Sequence, residues 1–270
     1  MKIIDAHLHF CEEEYFDTIA ATAGHANTAE HLMSEYERLG IAGGVVMGNR
    51  SLEPAYHARY PKKLRYCIGV DTSMTGIPIP DQVEKIEENL KLEACVGVKL
   101  YPGYSHFYVY DETLDPVYEL AKKYDKPVAV HTGLTATDHA VLKYAHPLTL
   151  DEAAVRHPGV QFVMCHFGNP FLEAAVAVVE KNPNVAVDLS GLIEGKITDM
   201  DRFSKKKKGY LRMINDWLEY MNLYDRFMYG TDWPLANIED YIAFLKLFIP
   251  EEEWEKVFFR NANCIYGLGL

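Results

Sequence analysis

Two histidines near the start of the chain have the spacing of metal ligands. His7 and His9 close the segment Ile3-Ile4-Asp5-Ala6-His7-Leu8-His9, which begins as an apolar, strand-like run. Side chains at positions i and i+2 of a strand lie on one face, about 6.6 Å apart along it, so both imidazoles can reach one ion. Neutral imidazole is the commonest protein ligand for zinc and its first-row neighbours. A pair alone does not complete a site, so the rest of the chain must supply partners.

Eight short β-rich runs, separated by helical or long-loop segments, set the positions of such partners. The runs after the first are residues 41–49, 64–71, 95–102, 127–133, 161–168, 184–191 and 227–234. Amphipathic helices are predicted at 28–39, 82–92, 114–124, 171–181 and 212–221. Continuously apolar runs such as Val128-Ala129-Val130 are typical of strands buried on both faces of a parallel sheet.

This alternation predicts an α/β protein, a (β/α)8 TIM barrel in a single domain over residues 1–270. The length matches the roughly 250 residues typical of that fold. An open, doubly wound sheet is the alternative, but no Gly-x-Gly-x-x-Gly turn follows the first run. We find no internal repeat, low-complexity segment or linker, which favours one domain.

Ionisable residues fall at the C-terminal ends of the predicted strands, where catalytic groups of this barrel lie. They are His7 and His9 on strand one, Lys99 on strand four, His131 on strand five, His166 on strand six and Asp232 on strand eight. Each has a structural alternative on its own: Asp232 could cap a turn, and the Lys99 stem could lie along apolar surface. Their joint placement at one mouth favours a metal site.

The motifs that carry these residues resemble the ordered signatures of the amidohydrolase superfamily. They are Ile4-Asp5-Ala6-His7-Leu8-His9, Gly97-Val98-Lys99-Leu100-Tyr101-Pro102, Val130-His131-Thr132-Gly133, Cys165-His166-Phe167-Gly168 and Tyr229-Gly230-Thr231-Asp232-Trp233-Pro234. The branch most similar to the chain is the amidohydrolase-related group of predicted metal-dependent hydrolases, which has decarboxylase relatives. Residues 259–268 are similar to the C-terminal helix of that group, so the resemblance spans residues 3–268.

The resemblance implies different roles for the individual site residues. His7, His9 and Asp232 would bind the more buried metal, whereas His131 and His166 would bind a second ion or orient the substrate. Zinc suits histidines with a carboxylate, and manganese or iron also fits these residue types.

Lys99 decides the number of ions in this scheme. In two-metal members a lysine on strand four is carboxylated and bridges both ions, and Lys99-Leu100-Tyr101-Pro102 resembles the equivalent stretch of dihydroorotases. One-metal members, which include the decarboxylases, lack the bridge, and TatD-like nucleases usually carry glutamate there. An unmodified lysine would be a cation facing a cation. The two outcomes left open are a carbamate with two ions, and a free ammonium that serves an anionic substrate beside one ion.

The chemistry expected of such a site is attack by metal-activated water. A bound divalent ion lowers the pKa of its water to about 7. Asp232, as general base, would accept the proton of that water and pass it to the leaving group. The ion and His166 would stabilise the oxyanion on the scissile carbonyl.

Other residues near strand ends are expected to shape the substrate pocket. They are Phe10, Asn49, Asp71, Tyr101, Asn169, Ser190 and Trp233. Tyr101 faces the same way as Lys99 by the two-residue period of a strand, so it reaches the substrate or packs at the mouth. Arg50 could bind a carboxylate through its guanidinium, although a surface position is the plainer expectation. His106, His139, His146 and His157 lie away from strand ends and are expected to be structural, with His139 the least certain.

Composition is that of an acidic, soluble enzyme. Lys plus Arg number 27 against 39 Asp plus Glu, a net charge of -12, which argues against a nucleic-acid partner. The block Lys205-Lys206-Lys207-Lys208 is expected to be solvated, or to lie on a lid drawn to an anionic substrate. No apolar stretch approaches the roughly 18 residues of a membrane span, and the first strand leaves no room for a signal peptide. We expect a small-molecule substrate and no membrane partner, and the sequence leaves a homo-oligomer open.

Cysteine usage indicates a reducing, cytoplasmic compartment. The five cysteines, Cys11, Cys67, Cys95, Cys165 and Cys264, include no Cys-x-x-Cys pair. Cys165 is expected to point out of the barrel because its neighbour His166 points in.

Two enzyme classes follow from the sequence. The favoured one is hydrolysis of a small amide, lactone or ester, and the alternative is non-oxidative decarboxylation or hydration of a small unsaturated or aromatic acid. Metal binding without turnover is weaker, because structural zinc sites are closed by local ligands, whereas these residues come from five strands at an open mouth.

Overall fold

The computed structural model, which describes residues 1–10 and 13–270, is a single (β/α)8 barrel. Its parallel strands are β1 (Ile3–Leu8), β2 (Ile41–Met47), β3 (Leu64–Val70), β4 (Cys95–Leu100), β5 (Val128–Val130), β6 (Phe162–Met164), β7 (Val185–Asp188) and β8 (Phe227–Met228). Each strand pairs with the next in sequence order. Backbone hydrogen bonds from Ala6 N to Tyr229 O (2.9 Å) and from Asp232 N to His7 O (2.8 Å) join the last strand to the first. The predicted fold is confirmed.

Helices cover the outside of this sheet. They are α1 (Glu14–Thr22), α2 (Ala29–Leu39), α3 (Pro54–His57), α4 (Thr72–Thr75), α5 (Ile79–Leu90), α6 (Asp115–Lys123), α7 (Leu148–Arg156), α8 (Leu172–Lys181), α9 (Met200–Lys206), α10 (Lys208–Met221), α11 (Ile238–Leu245) and α12 (Asn261–Ile265). The five predicted helices correspond to α2, α5, α6, α8 and α10 within a few residues. A π-helical turn, Lys256–Arg260, leads into α12, so the segment expected to be one C-terminal helix is divided.

Helix α2 illustrates how local signals fix an element. The side chain of Thr28 accepts a hydrogen bond from the backbone N–H of His31 (3.2 Å), which caps the helix start, and Gly40 ends the helix with φ 71°. Tyr36, on the buried face of the helix, donates its hydroxyl to Asp5 Oδ2 (3.0 Å). This bond anchors the helix to β1, the strand that carries His7 and leads directly into His9.

Asp5 also fastens β1 to the segment after β8. Its carboxylate accepts the backbone N–H (2.9 Å) and the hydroxyl (2.6 Å) of Thr231. Burial raises the pKa of Asp5 to about 6, against the opposing effect of these hydrogen bonds. Since His7 and Asp232 each lie within two residues of this contact, it holds their backbones in register.

The largest difference between a predicted and an observed strand end occurs at β6. The run predicted to extend over residues 161–168 stops at Met164, because the next four residues form a 3-10 turn in which His166 and Phe167 adopt left-handed backbone (φ 62° and 48°). The alternation of side chains therefore breaks there. Cys165 is fully buried and lies against Lys99 inside the barrel, so the prediction that it points outward is wrong.

Two smaller observations complete the fold. The four described cysteines are unpaired, and Cys11 lies outside the described residues. Among the described helices, none is both long enough and apolar enough to cross a bilayer.

Candidate metal centre

Three side chains converge at the mouth of the barrel: His7 on β1, His9 directly after β1, and Asp232 in the segment after β8. Asp232 Oδ1 lies 3.4 Å from His7 Nε2 and 3.2 Å from His9 Nε2. One ligand atom from each residue lies within 4.8 Å of the others, a spacing compatible with a shared ion. Asp232 reaches this position because its backbone is left-handed (φ 56°) and bonded to the carbonyl of His7.

Several polar atoms in this cluster are buried without a hydrogen-bond partner. They include His7 Nε2, His131 Nε2 and Asp232 Oδ1. An unmet buried polar group costs about 1–3 kcal/mol, so three in one place need a ligand that satisfies them. Imidazole nitrogens and carboxylate oxygens are common ligand atoms of zinc, manganese and iron. The residues present therefore fit a divalent metal ion.

His166 and His131 extend the cluster along the mouth. The His166 ring is centred 4.7 Å from that of His7 and 4.9 Å from that of His131. Burial lowers the pKa of His166 to about 4, and burial followed by the nearby His166 and Lys99 lowers that of His131 well below its usual range. Both rings are therefore neutral at pH 7, the form that binds metals.

Asp188, at the end of β7, organises two of these rings and was not singled out from the sequence. Its Oδ2 accepts a hydrogen bond from His7 Nδ1 (2.8 Å), and its Oδ1 accepts from the backbone N–H of His166 (3.1 Å) and from the Ser190 hydroxyl. Burial alone would raise the pKa of Asp188, but the neighbouring His7, which donates a hydrogen bond to it, holds that pKa well below the usual range. Asp188 is therefore ionised and can only accept hydrogen bonds.

This pattern assigns the tautomers of His7 and His166. His7 Nδ1 must carry a proton to bond Asp188, which leaves Nε2 as a lone-pair donor beside Asp232. Ser190 gives its single hydroxyl proton to Asp188, so its oxygen accepts from His166 Nδ1 (2.9 Å). His166 Nε2 then carries no proton and can only accept a hydrogen bond. To stabilise an oxyanion, as the sequence led us to expect, this nitrogen would have to be protonated.

Lys99 occupies the floor of the site. The side chain on β4 is fully buried, and its Nζ donates to Cys165 Sγ (2.8 Å) and lies 5.3 Å from the centre of the Tyr101 ring. The contacts of this predicted ligand residue are therefore with the Cys165 thiol and the Tyr101 ring.

A family model for the amidohydrolases matches residues 4–268 of the chain. The chain belongs to the amidohydrolase family. A search of the curated proteins finds no match.

Solved structures of related folds cover the whole amidohydrolase barrel. An uncharacterised TIM-barrel protein from Bordetella bronchiseptica is 21% identical, with 99% of each chain aligned and a TM-score of 0.74. The 5-carboxyvanillate decarboxylase from Novosphingobium aromaticivorans, complexed with manganese and a nitrobenzoic acid, is 13% identical over 98% of this chain and 96% of its own, with a TM-score of 0.68. A probable 2-pyrone-4,6-dicarboxylic acid hydrolase from Acinetobacter baumannii is 17% identical over 99% and 100%, with a TM-score of 0.65. At these identities the likeness concerns the fold.

A cavity of about 700 Å³ opens above the candidate metal centre of this amidohydrolase. Of the residues expected to shape the pocket, the structure places Asn49, Asp71, Tyr101 and Asn169 in its wall. Ser190 lies beneath the wall and contacts His166. Gly191 also lines it with φ 63°, and a Cβ there would lie 2.6 Å from His166 Nδ1, so only glycine fits.

Phe10 and Trp233 were expected to line the cavity and do not. Phe10 packs against Tyr60, with ring centres 5.5 Å apart. Trp233 is fully buried against His25, with ring centres 4.7 Å apart, because Asp232 takes the inward position and its neighbour turns to the outer layer.

Helices and loops outside the strand ends supply wall residues that the strand pattern could not indicate. Phe16 comes from α1, and Met74, Tyr104 and Leu134 come from the segments after β3, β4 and β5. Arg50 and His139, for which a surface or structural position was favoured, also line the cavity. Their position depends on how these segments fold over the mouth.

Proposed function

We propose that this amidohydrolase is a metal-dependent hydrolase of a small amide, lactone or ester. The observation that carries the proposal is the set of unpartnered buried atoms, His7 Nε2, His131 Nε2 and Asp232 Oδ1, at the mouth of the barrel. His7, His9 and Asp232 would hold the ion, for which zinc is the proposed identity and manganese or iron is compatible. His131, His166 and Lys99 would hold a second ion or contact the substrate.

The protein groups around the ion set the direction of proton transfer. A bound divalent ion supplies a Lewis acid and a water of lowered pKa. Burial alone would raise the pKa of Asp232, but the neighbouring His166, His9 and His7 hold it below its ordinary value, so the carboxylate is ionised. It can accept a proton from water as the water oxygen adds to the carbonyl carbon, and return that proton to the leaving nitrogen or oxygen as the C–N or C–O bond breaks.

A non-oxidative decarboxylase or hydratase of a small unsaturated or aromatic acid is the second candidate. It is supported by the position of Lys99, which lines the cavity and whose Nζ lies 2.8 Å from Cys165 Sγ, within reach of a bound substrate. If Lys99 is a free ammonium, it can bind an anionic substrate beside a single ion, as decarboxylation requires. If Lys99 is carboxylated, it can bridge two ions, which favours hydrolysis.

A turnover screen of the metal-loaded enzyme separates these candidates. Small amides, lactones and esters form one set of substrates, and hydroxylated benzoic acids and unsaturated acids form the other. We expect release of the carboxylic acid product from the first set, abolished by a chelator and restored by zinc. Carbon dioxide release from the second set alone would replace the hydrolase with the decarboxylase, and chelator-resistant turnover would reject the role of metal.

A further inference from the structure

We propose that the outer surface of helix α10 is the contact between two copies of this chain, which pack about a twofold axis with their α10 helices antiparallel. This surface, the α10 face, consists of Gly209, Arg212, Met213, Asp216, Trp217 and Tyr220. It lies on the outside of the barrel, and these six residues take no part in the wall of the cavity above the candidate metal centre. The inference is therefore independent of the proposed function.

Large side chains on the α10 face form one exposed stripe. Met213 is 37% exposed and Tyr220 is 62% exposed. The half-buried Trp217 lies between them in the sequence, with its ring centre 5.7 Å from that of Tyr220. Side chains three or four residues apart are neighbours on a helix, so the three form a continuous patch. Single exposed apolar residues are common on soluble proteins, whereas a contiguous patch is typical of an interaction surface.

Gly209 leaves a gap at one end of this stripe. A Cβ added there would meet no atom within 4 Å, and an open cavity of about 480 Å³ lies over the α10 face. Gly209 precedes Met213 by four residues, so the gap and the stripe share one side of the helix. In an antiparallel pair of helices, Tyr220 of each copy can approach Gly209 of the other, so that a ring packs into the space that a missing side chain leaves.

The charges near the middle of the α10 face match those of a second, antiparallel copy. Arg212 Nε lies 3.4 Å from Asp216 Oδ2, and the two side chains are 78% and 59% exposed. When Tyr220 lies opposite Gly209, Arg212 of each copy comes within about one residue, or about 1.5 Å along the axis, of the level of Asp216 of the other. Two equivalent contacts between opposite charges result, which is the pattern of an isologous interface.

The charges at the two ends of α10 are also complementary. Four exposed lysines at residues 205–208 lead into its N-terminal end. Exposed carboxylates lie at its C-terminal end, where Glu219 is on the helix and Glu180 accepts the hydroxyl of Tyr220 (3.3 Å). An antiparallel pair sets the lysines of each copy against the carboxylates of the other. Since a net charge of -12 makes two copies repel each other overall, this basic block favours approach at the α10 face.

The size of the α10 face limits the affinity of the dimer. The helix has 14 residues and is therefore about 21 Å long. A helix of that length does not by itself supply the roughly 800 Å² that each partner of a standard interface buries, so exposed surface of α8 and α9 must take part. We expect a dissociation constant in the micromolar range, at the weak end for such interfaces.

Sedimentation equilibrium of the full chain tests the proposal. The mean mass of the wild type should rise from 30.8 kDa towards twice that value as its concentration passes through the micromolar range. Gly209→Gln fills the gap that Tyr220 of the second copy needs, and should weaken the dimer by at least about tenfold. The same substitution removes a glycine from an exposed helix position, which favours the folded chain.

A charge exchange tests the antiparallel register. Arg212→Glu sets like charges against each other in both equivalent contacts, and should weaken the dimer by about tenfold. Arg212→Glu together with Asp216→Arg restores two pairs of opposite charges and should regain most of the wild-type affinity. Circular dichroism should be unchanged in each variant, because both side chains are exposed.

A matched pair of apolar substitutions tests the location of the contact. Met213→Gln should weaken the dimer. Leu92→Gln is its control, because Leu92 is similarly exposed (40%) and lies between α5 and β4, on the opposite side of the barrel from α10 and β8. The control should keep the wild-type affinity.

The results that would overturn the proposal are distinct. A wild-type chain that stays monomeric at about 100 μM has no dimer of the expected affinity. A dimer indifferent to Gly209→Gln, Met213→Gln and Arg212→Glu uses another surface, and a double charge variant as weak as Arg212→Glu alone contradicts the antiparallel pairing. Metal content and turnover should be the same in all these variants, so failure of the proposed function would leave the dimer standing.

Discussion

Two groups of buried histidines in this barrel differ in how their ring nitrogens are satisfied. At the mouth, His7 Nε2 and His131 Nε2 have no hydrogen-bond partner. In the outer layer, His57 bonds Tyr60 through Nδ1 (3.1 Å) and the carbonyl of Ser51 through Nε2 (3.0 Å). Burial is comparable in the two groups, so burial alone does not mark a metal site.

His25 belongs to the satisfied group. Its Nε2 accepts the backbone N–H of Ile238 (3.2 Å), and its Nδ1 bonds His31 (2.9 Å). Burial, the largest cause in each case, lowers the pKa of His25, His57 and His166 alike to about 4. His157 Nε2, away from the mouth, is also unpartnered, so the comparison teaches that several unpartnered atoms in one place, rather than a shifted pKa or a single such atom, mark ligand chemistry.

The largest effect is expected from Asp232→Asn. The imidazoles still hold an ion, but an amide cannot accept a proton, so turnover should fall by about 100- to 10,000-fold with substantial metal retained. Steady-state rates and elemental analysis on the same preparation check this. Wild-type turnover in a metal-loaded variant would remove Asp232 from its role as base.

Asp188→Asn should weaken metal binding by about 10- to 100-fold, because the carboxylate fixes the His7 tautomer and the amide does so less strictly. Ser190→Ala removes the hydroxyl that bonds both Asp188 and His166 but leaves the contact between Asp188 and His7, so it should have a smaller effect. Competition with a chromogenic chelator measures both affinities. Equal affinities in all three proteins would show that these contacts do not orient the ligands.

Lys99 tests whether one ion or two occupy the mouth. If the lysine is carboxylated, removal of bicarbonate during reconstitution should lower occupancy to about one ion, because a carbamate between cations is stabilised by them. Lys99→Ala should then regain part of its activity when a short carboxylic acid is added. A single-ion enzyme indifferent to bicarbonate would move the assignment from hydrolase to decarboxylase.

The smallest effect is expected from substitution of His57, whose two ring nitrogens are both hydrogen-bonded. The pKa of His57 is about 4 when folded and 6.5 in its reference state, so the unfolded chain binds more protons between these values. The stability due to neutral His57 is fully present above pH 6.5 and is lost as the pH falls towards 4. As the pH falls across that window, the free energy of unfolding should decrease less steeply in His57→Gln than in wild type. The difference between the two slopes should correspond to the uptake of at most one proton on unfolding. Denaturant melts at several pH values measure the slope, and parallel curves for both proteins would contradict this assignment.

The sequence predicted the barrel and the residues that meet at its mouth because strand ends are readable from apolar runs. The same reading missed Asp188, since its role depends on two rings brought to it by β1 and β6. It also misplaced Cys165 and Trp233, because the left-handed backbone at His166 and Asp232 breaks the two-residue alternation. Arg50 could not be placed in the cavity wall from sequence, since its position depends on α1 and on the segment after β3.

The metal content of purified, zinc-reconstituted enzyme tests the central claim most directly. Elemental analysis compares wild type with His9→Ala, whose side chain is partly exposed and therefore tolerates truncation, and with His57→Gln as the satisfied control. We predict at least one ion per chain in wild type and His57→Gln, and almost none in His9→Ala, with unchanged circular dichroism in all three. Wild-type metal content in His9→Ala, or none in the wild type, would contradict the account.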